Sequence, residues 1–432
     1  MTRHNLLQAA FARGLAPEGD LYEELTELGD YEISSLADAE VLTQGMSEYV
    51  KRPLDSDEAV SAFPELTRLF QSVTSAEAFQ YLARKGIPLL IEAYDARLID
   101  PGECESDLLF ALKIFARYGT VEGIDRIVAA AFSMALQEGF LWSVIFEQLS
   151  ETDPLIPDLV GRLSNPLPDG FVGVALLDWT NRLCREKIIS GHPFNCPAGT
   201  EKLRGWLTSN DEDEYSYAHA AAAALPFIAD PPRSELMALA MDHPDNGIQM
   251  EAAWATAFLG SDSGVKFLAR LCLDPHLAIS ARTYLKELKR TDAIPDEAND
   301  PNYLALAEMC DWLAHPQEFG RPPDEIELYD TREMFWPPTN DWRPLWLFKY
   351  RYEASEEDNT ETVGVGMAGS IVFSLFDETN PQMAAEDIYA LHCCWEMEAI
   401  EDPRAPAERS IEAGRALIDA AQPDHVEDDE KF

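Results

Sequence analysis

The feature that most constrains this chain is an apolar stripe that returns. Tyr217, Ala221, Ala224 and Ile228 fall at i, i+4, i+7 and i+11, one face of a helix. Ile248, Ala252, Ala255 and Leu259 repeat that spacing, and Leu277, Ala281, Tyr284 and Leu288 repeat it again. Between the stripes lie shorter segments in which Leu236, Leu239 and Ala240 correspond to Val265, Leu268 and Ala269. The unit is a helix pair with a period of about 30 residues. One such pair cannot bury its apolar face alone, so the pairs must stack on one another.

The run DHPDNGIQMEAAWATAFLGSDSGVKFLARLCLDPHLAISARTYLKEL, Asp242 to Leu288, resembles the short HEAT repeats. It has the Asp274-Pro275 entry, a looser version at Asp242 and Pro244, the aliphatic residues Ile248 and Ile279, closely packing alanines and the pair Leu259-Gly260. The resemblance implies a curved solenoid of stacked helix pairs. The family often carries an arginine just after the aliphatic residue, where this chain has Gln249 and Ser280. An anion-binding ladder built on those arginines is therefore not expected.

Upstream, helical patterning continues with little β-branched alternation. In SDLLFALKIFARYG the residues Leu108, Leu112 and Phe115 share a face and Gly119 ends the segment. Thr120 then caps a helix marked by Ile124, Ile127, Val128, Ala131 and Ala135. The two helices, joined by so short a turn, must run antiparallel. The first 73 residues are helical but irregular, interrupted by Pro17, Pro53 and Pro64.

Past Arg290 the pattern changes. Pro295, Pro301, Pro316, Pro322 and Pro323 bracket one further helix, YLALAEMCDWLAHP. The period then falls to two. RPLWLFKYRYE places Trp346, Phe348, Tyr350 and Tyr352 on one face of a strand and Leu345, Leu347, Lys349 and Arg351 on the other. An acidic loop, ASEEDNTE, leads to a second long strand, Val363 to Phe376, and EIELYDTREMFW is a third that can pair with them. Asn380 as N-cap and Pro381 at the first helical position predict a helix with the stripe Ile388, Leu391, Trp395 and Ala399, and APAERSIEAGRALIDAA a last one.

Composition narrows the function classes. The chain has 78 acidic and 33 basic residues, a net charge of −45, and 10 Lys against 23 Arg. That field repels phosphate backbones and anionic membranes, so direct nucleic-acid binding is not expected. Acidity with scarce lysine fits adaptation to a salty environment; a surface that docks a basic partner, or that imitates DNA, is the competing reading. No apolar run is long enough for a membrane span, and the N-terminus lacks a signal-peptide core. Seven scattered cysteines without a C-x-x-C pair indicate neither a disulfide framework nor a zinc site, as in a reducing cytoplasm.

Three strings invite chemistry. Gly364, Gly366 and Gly369 match G-x-G-x-x-G, but β-branched and aromatic residues follow where a dinucleotide loop needs a helix N-terminus. Read with period two, the match is an accident of interleaved rows, and the small row Gly364, Gly366, Ala368 lets a helix or the rings of Trp346, Phe348 and Tyr350 approach the strand. In HCCW, His392 to Trp395, adjacent cysteines point about 100° apart on a helix, which suits packing better than metal or a nucleophile. FWPPTNDWRPLW is rigid and aromatic; it packs the small sheet, or Trp336, Trp342 and Trp346 with Lys349 and Arg351 form a docking surface for a partner or an anionic ligand.

The chain is thus expected to be mainly α: a HEAT-like α-solenoid followed by a small α+β domain with an antiparallel sheet. The boundaries are 1–73 for a helical cap, 74–295 for the repeats, 296–324 for a linker with one helix, 325–425 for the α+β domain and 426–432 for an acidic tail. Nothing makes a positive case for catalysis, a metal or a cofactor. The expected role is a non-catalytic, cytoplasmic scaffold for a protein partner, one that can be basic; the alternatives are a ligand-binding or enzymatic α+β domain and an acidic nucleic-acid mimic.

Overall fold

The computed structural model describes residues 3–54, 57–98, 105–209, 211, 214–354, 361–375, 380–400 and 407–421. The acidic tail, most of the acidic loop and Cys104 lie outside them. The chain is mainly helical, with one four-stranded antiparallel sheet near its C-terminus. It divides into two compact units, Met1–Ala255 and Thr256–Phe432. No described helix is long and apolar enough to cross a membrane.

The first unit opens with α1 (Arg3–Gly14), α2 (Leu21–Thr26), α3 (Leu36–Tyr49), α4 (Asp57–Gln71), α5 (Ala76–Lys85) and α6 (Ile87–Arg97). A single parallel bridge, Ile33 to Val73, ties the approach to α3 to the end of α4. Then come α7 (Glu105–Tyr118), α8 (Val121–Ala131), α9 (Trp142–Glu147), α10 (Ile156–Leu163), α11 (Gly170–Arg185), α12 (Pro197–Leu207), α13 (Tyr215–Ala224), α14 (Pro232–Met241) and α15 (Asn246–Phe258). Packing alternates: α7 lies on α9, α9 on α11 and α11 on α13, while α8 lies on α10 and α12 on α14. Two rows of helices result.

The α7–α8 turn forms as its residues dictate. Gly119 takes φ +56° and the Thr120 hydroxyl accepts the Gly123 N–H, so two residues stop one helix and start the next. Helix α8 nevertheless ends at Ala131, and Ala135, expected on its stripe, is exposed in the following turn. The stripes of α13 and α15 are also shorter than expected. Pro226, which cannot donate to the turn behind it, converts the end of α13 into a 3-10 turn before Ile228. Leu259 lies past the end of α15, where Gly260 at φ +91° and the Ser261 N–H to Thr256 O bond close a glycine-based helix stop.

The second unit continues with α16 (Asp262–Leu271), α17 (Ala278–Glu287) and α18 (Pro301–Leu313), then β1 (Glu325–Trp336), β2 (Asp341–Tyr352), β3 (Thr362–Ala368), β4 (Phe373–Leu375), α19 (Ala385–Glu396) and α20 (Ala407–Ala421). The sheet order is β1-β2-β3-β4. Strand β2 alternates as read from its sequence. Trp346, Phe348, Tyr350 and Tyr352 pack with Ala305, Met309 and Leu313 of α18. Leu345 and Leu347 pack on the other side with Ile388, Tyr389 and Leu391 of α19. The edges are guarded: β1 bears Glu325, Glu327, Asp330, Arg332 and Glu333, and β4 is three residues long.

Two expectations for this unit are corrected. The single strand Val363 to Phe376 is a hairpin, in which Val365 pairs with Leu375 and Met367 with Phe373. Gly369 at φ +102° breaks the extended run, and Phe376 lies outside the described residues. The helix expected to open at Asn380 and Pro381 begins at Ala385; the earlier residues form a separate 3-10 turn, because Ala384 is extended at ψ 145°.

Candidate functional site

The residues singled out in FWPPTNDWRPLW and beyond it are carried by one sheet but are not brought together. Trp336 is wholly buried on the α19 side, and its Nε1–H donates to Glu396 Oε2 at 3.1 Å. Trp346 is buried on the opposite side and donates to Asn302 Oδ1 at 2.7 Å. Trp342 is 56% exposed at the hairpin tip, edge-on to Phe335 at 6.3 Å. Lys349 places its ammonium 3.8 Å from the centre of the Tyr329 ring. Arg351 at the far end of β2 is held by Glu325 at 2.5 Å and by Glu361 at 3.4 Å. Trp342 and Arg351 stand about 30 Å apart at ~3.4 Å per strand residue, so no one pocket spans both.

His392, Cys393 and Cys394 are all buried on α19. Burial holds the Cys393 thiol protonated, up to about 12, and pushes His392 down to about 3. Both shifts disfavour a thiolate–imidazolium pair.

Two other features stand out, both in the first unit. One is the turn between α8 and α9, FSMALQEGF, Phe132 to Phe140. Its Leu136 is buried, yet Phe132, Met134 and Phe140 are 37%, 91% and 72% exposed. The turn is fixed to the start of α11: Val172 N–H donates to Gln137 O at 3.0 Å and Phe171 N–H to the Glu138 carboxylate at 3.3 Å. Beyond it runs a row of half-buried rings, Phe171 to Tyr217 at 6.3 Å and Tyr217 to Trp206 at 6.4 Å.

The second feature is a cleft of about 220 Å³ among α9, α11 and α13. Helix α11 supplies most of its wall, because Asp178, Arg182 and Arg185 recur at i, i+4 and i+7 on one face while Leu176, Leu177 and Leu183 are buried. Glu147 and Ser143 come from α9 and Ala223 from α13. Arg185 lies over the Trp254 ring at 4.2 Å. Arg182 makes no side-chain hydrogen bond or ion pair among the described residues, and its Nε–H is buried without an acceptor. The same holds for the Nε1–H of Trp179, whose ring stacks on Phe146 at 5.0 Å.

The chain matches no family model, no curated protein and no solved structure.

The HEAT resemblance therefore rests on the residues from Asp242 to Leu288 alone. The cleft leaves no mark in the sequence for a physical reason: a carboxylate four residues before an arginine on a helix normally pairs with it, and Asp178 and Arg182 have the spacing of one more surface pair among many. The signal that could have found it is the scarcity of cations. Where carboxylates outnumber basic groups by more than two to one, as 78 to 33 here, an arginine left without a partner is the exception.

Proposed function

We propose that the chain is a scaffold that binds a protein partner through its helical repeats, the partner segment being basic and carrying apolar anchors. The observation that carries this reading is the exposure of Met134 and Phe140 on a turn that the buried Leu136 and two hydrogen bonds to the start of α11 hold in place. Large apolar side chains grouped on a fixed surface favour burial against a partner. The ring row Phe171, Tyr217 and Trp206 adds aromatic surface of the kind enriched at interfaces. The net charge of −45 favours a basic segment over any other. Stacked helix pairs with HEAT-like spacing suit such a role by analogy of fold.

The test is capture from the native host with the wild-type chain and with a Met134→Ser, Phe140→Ser double variant. A basic protein recovered by the wild type, lost with the variant and lost in high salt supports the reading. Equal recovery by both chains, or recovery of acidic proteins only, removes it. The substitutions lie at exposed positions, so the variant is expected to melt with the wild type.

The two alternatives have less behind them. A ligand site in the α+β unit has against it the burial of Trp336 and Trp346 and the engagement of Arg351 by carboxylates. A nucleic-acid mimic has against it the many carboxylates taken up by internal arginines, such as Glu235 by Arg204 and Asp95 by Arg126.

A further inference from the structure

The cleft on α11 holds charges of both signs that do not satisfy one another. Asp178 and Arg182 stand one helical turn apart, yet neither they nor Glu147 makes an ion pair among the described residues. In an isolated surface helix such a pair closes. Here Arg182 is half-buried in the cleft wall, and its guanidinium meets no carboxylate among the described residues. A half-buried cation without a counter-charge is poorly solvated, and an incoming anion relieves it. The polar side chain Asn181, also on the wall, is already engaged by Ala220 O and His192.

The guanidinium asks for an anion, and the rest of the cleft restricts which one. Glu147 and Asp178 are exposed carboxylates on its wall, in a chain of net charge −45, so a phosphate or a dicarboxylate meets repulsion from two sides. A volume of about 220 Å³ is below that of a drug-sized site. Ala175 and Ala223 contribute small apolar wall. We propose that the cleft binds a free α-amino acid: its carboxylate accepts from the Arg182 guanidinium, and its ammonium donates to Glu147 and Asp178. One small zwitterion satisfies both sets of groups at once, which neither a simple acid nor a simple amine does. This site is separate from the apolar turn of the proposed scaffold function and stands or falls without it.

The experiment is calorimetric titration of the full-length protein with each L-amino acid in turn, with propionate and propylamine as controls that lack one of the two charges. At least one amino acid is expected to bind, with each control at least tenfold weaker. Arg182→Gln should weaken that binding more than tenfold and Glu147→Gln severalfold, both at unchanged melting temperature, since neither side chain has a polar partner to lose among the described residues. Arg182→Lys, which keeps the charge and loses the planar fork of donors, should fall between. Absence of binding by every amino acid at millimolar concentration overturns the proposal. So does propionate binding as tightly as the amino acid, or binding that survives Arg182→Gln.

Discussion

The Tyr350 ring lies against the backbone of Gly364, so closely that a methyl group placed there would overlap it and stand 2.5 Å from the carbonyl oxygen of Leu375. The neighbouring Gly366 is crowded instead by the thioether end of Met309, 2.6 Å from the position a methyl carbon would take to its Cε, with the Phe373 carbonyl farther off at 3.2 Å. A methionine tip can swing aside and a carbonyl in a sheet ladder cannot. Gly364→Ala should therefore cost about 1–3 kcal/mol, the range for overpacking a core, and Gly366→Ala clearly less. Paired urea melts measure the difference; equal costs would contradict the packing described.

Trp336 and Trp342 belong to the same aromatic string and should behave oppositely. Replacing the buried Trp336 by Ala removes a large ring from the α19 side and leaves Glu396, among the described residues, with the Ser370 hydroxyl at 2.9 Å, so a loss of about 3–5 kcal/mol is expected. Trp342→Ala removes an exposed ring and should change stability by no more than about 0.5 kcal/mol. Thermal melts of the two variants decide it.

His192 makes the first unit sensitive to acid. Its Nε2 lies 2.9 Å from Asn181 Oδ1 and its Nδ1 accepts the Phe194 N–H at 3.2 Å, so the neutral ring is the one that fits. Burial lowers its pKa from 6.5 to about 4. Between those values the unfolded chain binds the proton and the folded one does not, so stability falls as pH drops from 6.5 toward 4, by about 3 kcal/mol from this residue. His392, buried in the other unit and lowered to about 3, acts in the same direction. His192→Gln, which keeps a donor and an acceptor, should flatten this part of the pH profile in urea melts. An unchanged slope would count against the assignment.

The end of α4 is finished by α7. Arg117 donates to Gln71 O at 2.6 Å and Val73 O at 3.2 Å, and the Tyr118 hydroxyl to Phe70 O at 3.0 Å. These carbonyls belong to a helix terminus and the bridge that follows it, and lack helical donors. Arg117→Ala should cost about 1–3 kcal/mol and Tyr118→Phe about 1 kcal/mol. Hydrogen exchange should speed up around Ile33 and Val73 in the Arg117 variant first.

What could be read in advance follows from how local the cause is. The two faces of β2, the close approach over Gly364 and the Gly119-Thr120 turn each depend on a few adjacent residues, and each is found as read. The hairpin at Gly369 was hidden because Ile371, Val372 and Phe373 continue a convincing strand composition, and only the positive φ of one glycine interrupts it. The start of α19 was misplaced because Asn380-Pro381 is an equally good opening for a 3-10 turn. The three tryptophans of one string part company because strand parity and the hairpin send them to different surroundings. The unpaired Arg182 depends on distances between three helices, which no local pattern encodes.

Helix α18 roofs the aromatic side of β2, and its first turn is closed by Asp300, which accepts the N–H groups of Asn302 and Tyr303. Cutting the chain at the proline-rich stretch before β1 would leave Trp346, Phe348, Tyr350 and Tyr352 facing water as one continuous apolar sheet surface, an invitation to aggregate. The strands alone are thus not a transplantable part. Any portable version of this sheet begins no later than Asp300.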